Sequence, residues 1–386
     1  MVSVVLPTLL RVDRSFAFPR TNKSSATLLF AAYCLVSLLP DFLPGQQASH
    51  YFYHGYSYGS ESTFNPVSVF LNGSFDELQI YGQTGAFRDV PWDKGGTNVW
   101  RNIVAPFPQV QRYGWERFVR QEIIPTSLDL RRDQWFPNYT LHLIGGGMVA
   151  RKLSEWYDAH GYPLPTTLSA ITAMSYHFVN EIIENGDGGF YANVDPIADL
   201  LLFDPLGILL FSSDEVADFF SNTLSLNDWS FAPALSFAPL AARNVGQNFV
   251  IKYPLSSSRR TSLFYHFGSF GLLGLSLKMT AEESFSFGIG GSSKFAYTVD
   301  STNGTRTQSI ELGPMAGLYW DRNNSLLASL VVADSFTDIV RLNVFPGVIS
   351  VGGVSPGVFV AFGRNGGYTV GATASFVPVG VCLFFP

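Results

Sequence analysis

From about Trp229 onward, apolar residues recur at every second position in short segments separated by turn-forming clusters. Between Ser309 and Trp320, Ile310, Leu312, Ala316, Leu318 and Trp320 share one parity, while Glu311, Gly313, Gly317 and Tyr319 share the other. Leu273, Leu275, Leu277 and Met279 alternate with Gly274, Ser276 and Lys278 in the same way. So do Phe285, Phe287 and Ile289 with Ser284, Ser286, Gly288 and Gly290. Val340, Leu342 and Val344 alternate with Arg341 and Asn343, and Val370, Ala372, Ala374 and Phe376 with Gly371, Thr373 and Ser375. A period of two is that of a strand. Clusters at Asp300–Gly304, Asp321–Asn324 and Arg364–Gly367 mark turns. A water-soluble sandwich would carry Lys, Glu and Thr on its outer positions, whereas here the polar parity is mostly Gly and Ser. Apolar residues facing lipid and small or polar ones facing a narrow lumen are the pattern of a transmembrane barrel. The chain is therefore expected to be mixed α and β. Residues 226–386 are expected to form an antiparallel transmembrane β-barrel of about eight strands or slightly more, ending in the aromatic strand at Cys382–Phe385.

The period changes upstream. Residues 136–225 read as a helical module of three helices, the first from about Tyr139 to Ala159 and the second from about Thr166 to Asn185. The third opens at Asp195-Pro196, an N-cap followed by proline in the first turn, and is expected to break or restart at Asp204-Pro205. Gly145, Gly146 and Gly147 each cost a helix about 1 kcal/mol, so a close approach must need them: a second helix, or an acyl chain. Residues 49–135 form an aromatic N-terminal envelope segment in which Trp115–Glu122 reads as a short amphipathic helix stopped by Pro125. Trp and Arg together suit a membrane surface, and a polar helix on a barrel rim explains them equally. Residues 1–48 have the form of a secretory signal peptide. Arg11, Arg14, Arg20 and Lys23 precede the apolar run Ala26–Leu39, and cleavage is expected near Ala48. That run is shorter than the ~20 residues a spanning helix takes.

Composition narrows the function classes. Charged residues make up 14% of the 386-residue chain and hydrophobic ones 47%, against a usual charged share of about 25%. That excludes a coiled coil, a disordered chain and a disulfide scaffold. A net charge of −6 offers no basic footprint for nucleic acid. With the signal removed, Cys382 is the only cysteine, so no intrachain disulfide is expected.

Polar residues in so apolar a chain are costly unless partnered, which makes His142, Arg151, His177, Glu181, Glu184 and Asp199 the candidate site. His177, Asn180, Glu181 and Glu184 share one helical stripe. His177 and Glu181, four apart, suit either an orienting pair or two metal ligands. No spaced motif such as His-Glu-x-x-His is present, so no metal and no cofactor are assigned. An amphipathic helix with a wet face accounts for the same stripe without chemistry.

Asn138-x-x-x-His142-x-x-Gly145, Ala150-Arg151, Asn180-Glu181-x-x-Glu184, Asp199-Leu200 and Asp204-Pro205-Leu206-Gly207 resemble the central block of an uncharacterised family of Gram-negative outer-membrane proteins. Upstream, Tyr58-Gly59-Ser60-Glu61 with Asn65-Pro66, Leu71-Asn72 and Phe75-Asp76 is similar to the same group. Leu143 and Asn180 stand where that pattern has Pro and Trp. The resemblance implies an outer-membrane setting and brings no activity. The expectation is an outer-membrane barrel protein in contact with lipid, with a structural or lipid-contacting role. The alternative is a lipid-modifying enzyme in which His177 or His142 acts as base, Glu181 or Asp199 orients it and Arg151 holds a lipid phosphate. No serine or cysteine nucleophile is assigned, and a diffusion channel is disfavoured because too little chain follows residue 225 for the strands it needs.

Overall fold

The computed structural model describes residues 50–76, 78, 86–126, 135–185, 194–299, 306–334, 338–364, 366–375 and 377–386. The expected signal peptide at 1–48 lies outside them. Helices precede a large C-terminal sheet. Its strands are β1 (Leu226–Asp228), β2 (Ala234–Phe237), β3 (Leu240–Arg243), β4 (Asn248–Pro254), β5 (Thr261–Gly268), β6 (Phe270–Lys278) and β7 (Glu283–Val299). They continue as β8 (Arg306–Arg322), β9 (Ser325–Ala333), β10 (Asp338–Val344), β11 (Pro356–Gly363), β12 (Tyr368–Ala374) and β13 (Gly380–Phe385). All 13 join one sheet in the order β1-β4-β5-β6-β7-β8-β9-β10-β11-β12-β13-β2-β3. From β4 to β13 it is an antiparallel meander, and β2 joins β13 in parallel. The strand count exceeds the expected eight or slightly more, in part because β1, β2 and β3 are too short to show a period.

The alternation is realised inside out. Leu273, Ile289, Leu312, Val332 and Val381 are exposed, while Ser276, Ser286, Ser329, Asn343 and Thr369 are buried. The sheet curls strongly. Four strand spacings of ~4.8 Å would hold β4 and β8 roughly 19 Å apart in a flat sheet, yet Lys252 Nζ on β4 meets Asp321 Oδ2 on β8 at 2.6 Å. Trp229, Phe264, Leu272, Met315, Tyr319 and Val331 fill the inner side with one apolar cluster.

The ladder is open between β1 and β3, but residues 226–237 link its two ends. That single stretch pairs with β4 at its start and with β13 at its end. Helix α1 (Pro66–Phe75) runs beside it. Asn65 caps α1 through a capping box and Pro66 occupies its first turn. From α1, Asn72 Nδ2 donates to the carbonyl of Phe231 at 2.8 Å, and Asn72 Oδ1 accepts from the Gly246 N–H at 3.0 Å. Ala86 bridges Ala241 on the outer edge of β3, so that edge is not left bare.

The remaining helices are α2 (Trp92–Val104), α3 (Pro106–Tyr113), α4 (Trp115–Phe118), α5 (Gly147–Ala159), α6 (Pro165–Glu184), α7 (Asp195–Ala198), α8 (Asp204–Phe211) and α9 (Asp214–Asp218). Stretches of π-helix at Val119–Ile123, Asn138–Gly146, Asp199–Phe203 and Phe219–Thr223 extend α4, lead into α5, join α7 to α8 and extend α9. The module packs on the outer face of β4 and β5, where Phe249 and Phe267 are buried with Met148, Leu153 and Phe211. The three glycines allow this contact. A methyl on Gly145 would meet the Phe249 ring at 2.5 Å, and one on Gly147 the Gly207 carbonyl oxygen at 2.6 Å. A strand and a second helix therefore use the groove.

Residues 50–65 are tied down by buried charge. Glu155 on α5 accepts from the backbone N–H groups of Tyr51, Phe52 and Tyr53 at 2.8–2.9 Å. Lys152, also on α5, reaches Asp228 Oδ2 at 3.2 Å and Glu61 Oε2 at 3.6 Å. Ser60 Oγ donates to the Asp228 carbonyl and accepts from the Leu326 N–H.

Candidate functional site

Four of the six candidate residues share one buried neighbourhood. His142 comes from the π stretch before α5, His177 and Glu181 from α6, and Asp199 from the π stretch after α7. His142 Nδ1 lies 2.8 Å from Asp204 Oδ1, and His177 Nε2 approaches the same oxygen at 3.3 Å. The other ring nitrogen of His142 faces Asp199 Oδ2 at 3.6 Å. The imidazoles lie side by side, with ring centroids 5.0 Å apart. Asn185 Nδ2 donates to Glu181 Oε2 at 3.1 Å. Beyond Asp199 the polar chain continues through Asp195 to Glu122 and the Tyr113 hydroxyl. Apart from His142, whose side chain is 12% exposed, the residues of this neighbourhood from α6 to α8 are buried.

So many acids in one apolar place cannot all be ionised without cost. Burial, reinforced by the Asp195 charge, pushes Glu181 up to about 8. Asp199 and Glu122 are held well above the usual carboxylate range, chiefly by burial and then by the Asp195 charge. Half-buried Glu184 adds to the repulsion on Asp199 through space. Burial alone would lower both imidazoles. It carries His177 down to about 4, while the charge and hydrogen bond of Asp204 outweigh it at His142 and lift that ring to about 9.

Arg151 lies elsewhere. Its Nε donates to Glu155 Oε1 at 2.9 Å, its Nη2 to Asp214 Oδ1 at 2.7 Å, and its guanidinium covers the Tyr51 ring. It braces residues 50–53 and α9, through Tyr51, Glu155 and Asp214.

Two further expectations change. Asp195 is the first residue of α7 rather than the residue before it, and it lies buried against Asp199 and Glu122. Asp204-Pro205 does not break the chain's helical course, since Phe203 and Asp204 both keep right-handed helical angles. Asp204 is the residue that the sequence reading left out of the site. At ~100° per residue an α-helix separates residues five apart by roughly 140°, which directs Asp204 away from Asp199. The π stretch at Asp199–Phe203 closes i→i+5 bonds instead and brings both carboxylates to one side. The spacing Asp195, Asp199, Asp204 was the available signal.

Two segments do fit the Gly-x-Ser-x-Gly spacing of a nucleophile elbow, Gly55–Gly59 and Gly353–Gly357. Neither joins a strand to a helix as that motif requires. The Ser57 carbonyl accepts from Ser375 Oγ, and Ser355 Oγ accepts from the Gly347 N–H and donates to the Ile349 carbonyl. Both fasten loops.

No family model matches the chain, and no curated protein or solved structure matches it either. The site is read from its own geometry.

Proposed function

We propose that the protein is an integral outer-membrane β-barrel whose outer wall is strand over most of its girth and helix over the sector of β4 and β5. The observation that carries this reading is the inverted burial of the sheet, with leucine, isoleucine and valine outside and serine, asparagine and threonine inside. That is costly in water and suited to lipid. The curl measured by Lys252 and Asp321, and the stretch 226–237 that serves both ends of the ladder, support closure. The packed inner side argues against a diffusion pathway. The helices carry the same apolar exposure at Leu206, Leu209, Leu210 and Ile171, with exposed Trp92, Trp100 and Trp115 on α2 and α4. No single described helix is long and apolar enough to cross a membrane. The role we assign is lipid contact in the Gram-negative envelope, after export by the N-terminal signal.

The test is folding of the purified full chain into phosphatidylcholine vesicles. A folded band of altered mobility on unboiled gels, with strands protected from protease, is expected. Folding in detergent-free buffer to a soluble monomer would overturn the reading.

A second reading, modification of an envelope lipid, draws on the convergence of His142, His177, Glu181, Asp199 and Asp204. Comparison of envelope lipids by mass spectrometry with and without the protein decides it: a changed species supports it and identical profiles end it.

A further inference from the structure

We propose that His142, His177 and Asp204 bind one divalent transition-metal ion, with Asp199 positioning His142 through its second ring nitrogen. The ligand atoms of one tetrahedral ion held at ~2.0–2.2 Å lie roughly 3.3–3.5 Å from one another. Here one donor atom from each residue lies within 4.8 Å of the other two, and Asp204 Oδ1 is 2.8 Å from one imidazole nitrogen and 3.3 Å from the other. The two sides that meet at Asp204 thus lie within about 0.7 Å of coordination spacing.

An independent observation concerns an oxygen left without a donor. Asp204 Oδ2, on the ligand carboxylate itself, is buried without a donor. An acceptor of this kind needs a proton or a cation. Two imidazoles in the set select a borderline first-row ion over magnesium or calcium, which prefer all-oxygen sites. Three protein ligands leave a coordination position open, as catalytic rather than structural zinc sites do.

His142 also belongs to a second group, with Glu181 and Asp199. That group contains one imidazole and lies behind the other ring nitrogen, the place of the carboxylate that orients a ligating histidine and fixes its tautomer. Asp199 and Glu181 are therefore positioning residues. Gly146 completes the arrangement, since a methyl there would lie 2.9 Å from His177 Nε2. None of this depends on whether the sheet spans a membrane.

The test uses the folded full chain in detergent, stripped with a chelator and titrated with Co²⁺ and then Zn²⁺. One equivalent of Co²⁺ should bind with a visible ligand-field band that Zn²⁺ abolishes. His177→Ala and Asp204→Asn should each weaken binding by roughly a hundredfold or more. Asp199→Asn, outside the ligand set, should weaken it about ten- to hundredfold. Near-UV circular dichroism reports whether each variant is folded. Folded wild-type protein that takes up no metal overturns the proposal without any variant. Stoichiometric uptake with unchanged affinity in the folded variants overturns it as well.

Discussion

A methyl group on Gly146 would stand 2.9 Å from Nε2 of His177, so the helix before α5 and the imidazole of α6 are fitted to each other to within one carbon atom. Gly146→Ala gains up to about 1 kcal/mol of helix propensity and loses about 1–3 kcal/mol to overpacking. Chemical unfolding in detergent should show a net change of no more than about 2 kcal/mol. Cobalt affinity should fall much further, because the side chain that must move is a proposed ligand. Unchanged affinity with the fold intact would show that His177 tolerates displacement.

Glu155 is a hub: three consecutive backbone N–H groups and Arg151 Nε all donate to it. Glu155→Ala leaves those donors buried without an acceptor, a loss of about 3–5 kcal/mol if the segment stays in place. The expected outcome is release of residues 50–56, read as new protease cleavage there at unchanged strand content. Wild-type protease resistance would assign the anchoring to the aromatic contacts alone.

Glu122 sets a pH dependence. Its folded-state pKa lies well above the ordinary 4.5, by burial and by the charge of Asp195, against weaker opposing contributions from Tyr113 and Arg117. The folded state therefore keeps a proton that the unfolded chain has already released. The associated stability is full below about 4.5 and is lost as pH rises through the folded-state value. Glu122→Gln removes the titration and should flatten the fall in unfolding midpoint as pH rises from 4.5 through the folded-state value. Parallel profiles for wild type and variant would refute it.

Ile289 is 71% exposed, more than Phe285 and Phe287 on the same face of β7. If lipid covers it, Ile289→Arg should reduce folding into vesicles by about 2–4 kcal/mol. Wild-type folding yields would argue that water, not lipid, meets this face.

The strands were legible because a period of two survives any curvature. The burial of β8 alternates residue by residue from Leu312 to Tyr319, as the polarity of its side chains does. The ends of the sheet were not legible, because β2 and β3 have four residues each and β2 takes its place from β13, far along the chain. In the helices, α6 was readable from its stripe, and His177 and Glu181 do face one site. Asp204 and Glu122 were missed for one reason: each adjoins or lies within a π stretch, where angular bookkeeping at ~100° per residue fails. Arg151 looked suggestive for its charge in an apolar chain, yet its partners Glu155 and Asp214 were equally visible four residues on and at the start of α9.

Ser60 joins Asp228 and Leu326 across 168 and 266 residues of chain, and Asn72 joins Phe231 and Gly246 across 159 and 174. Residues 50–76 emerge from the ribosome long before any of these partners. Contacts this distant in sequence form slowly. The segment translated earliest among those described must therefore wait and dock late, once the strands it fastens are in place. Until then Phe52, Tyr53, Phe64 and Val69 lack the neighbours that bury them in the folded chain.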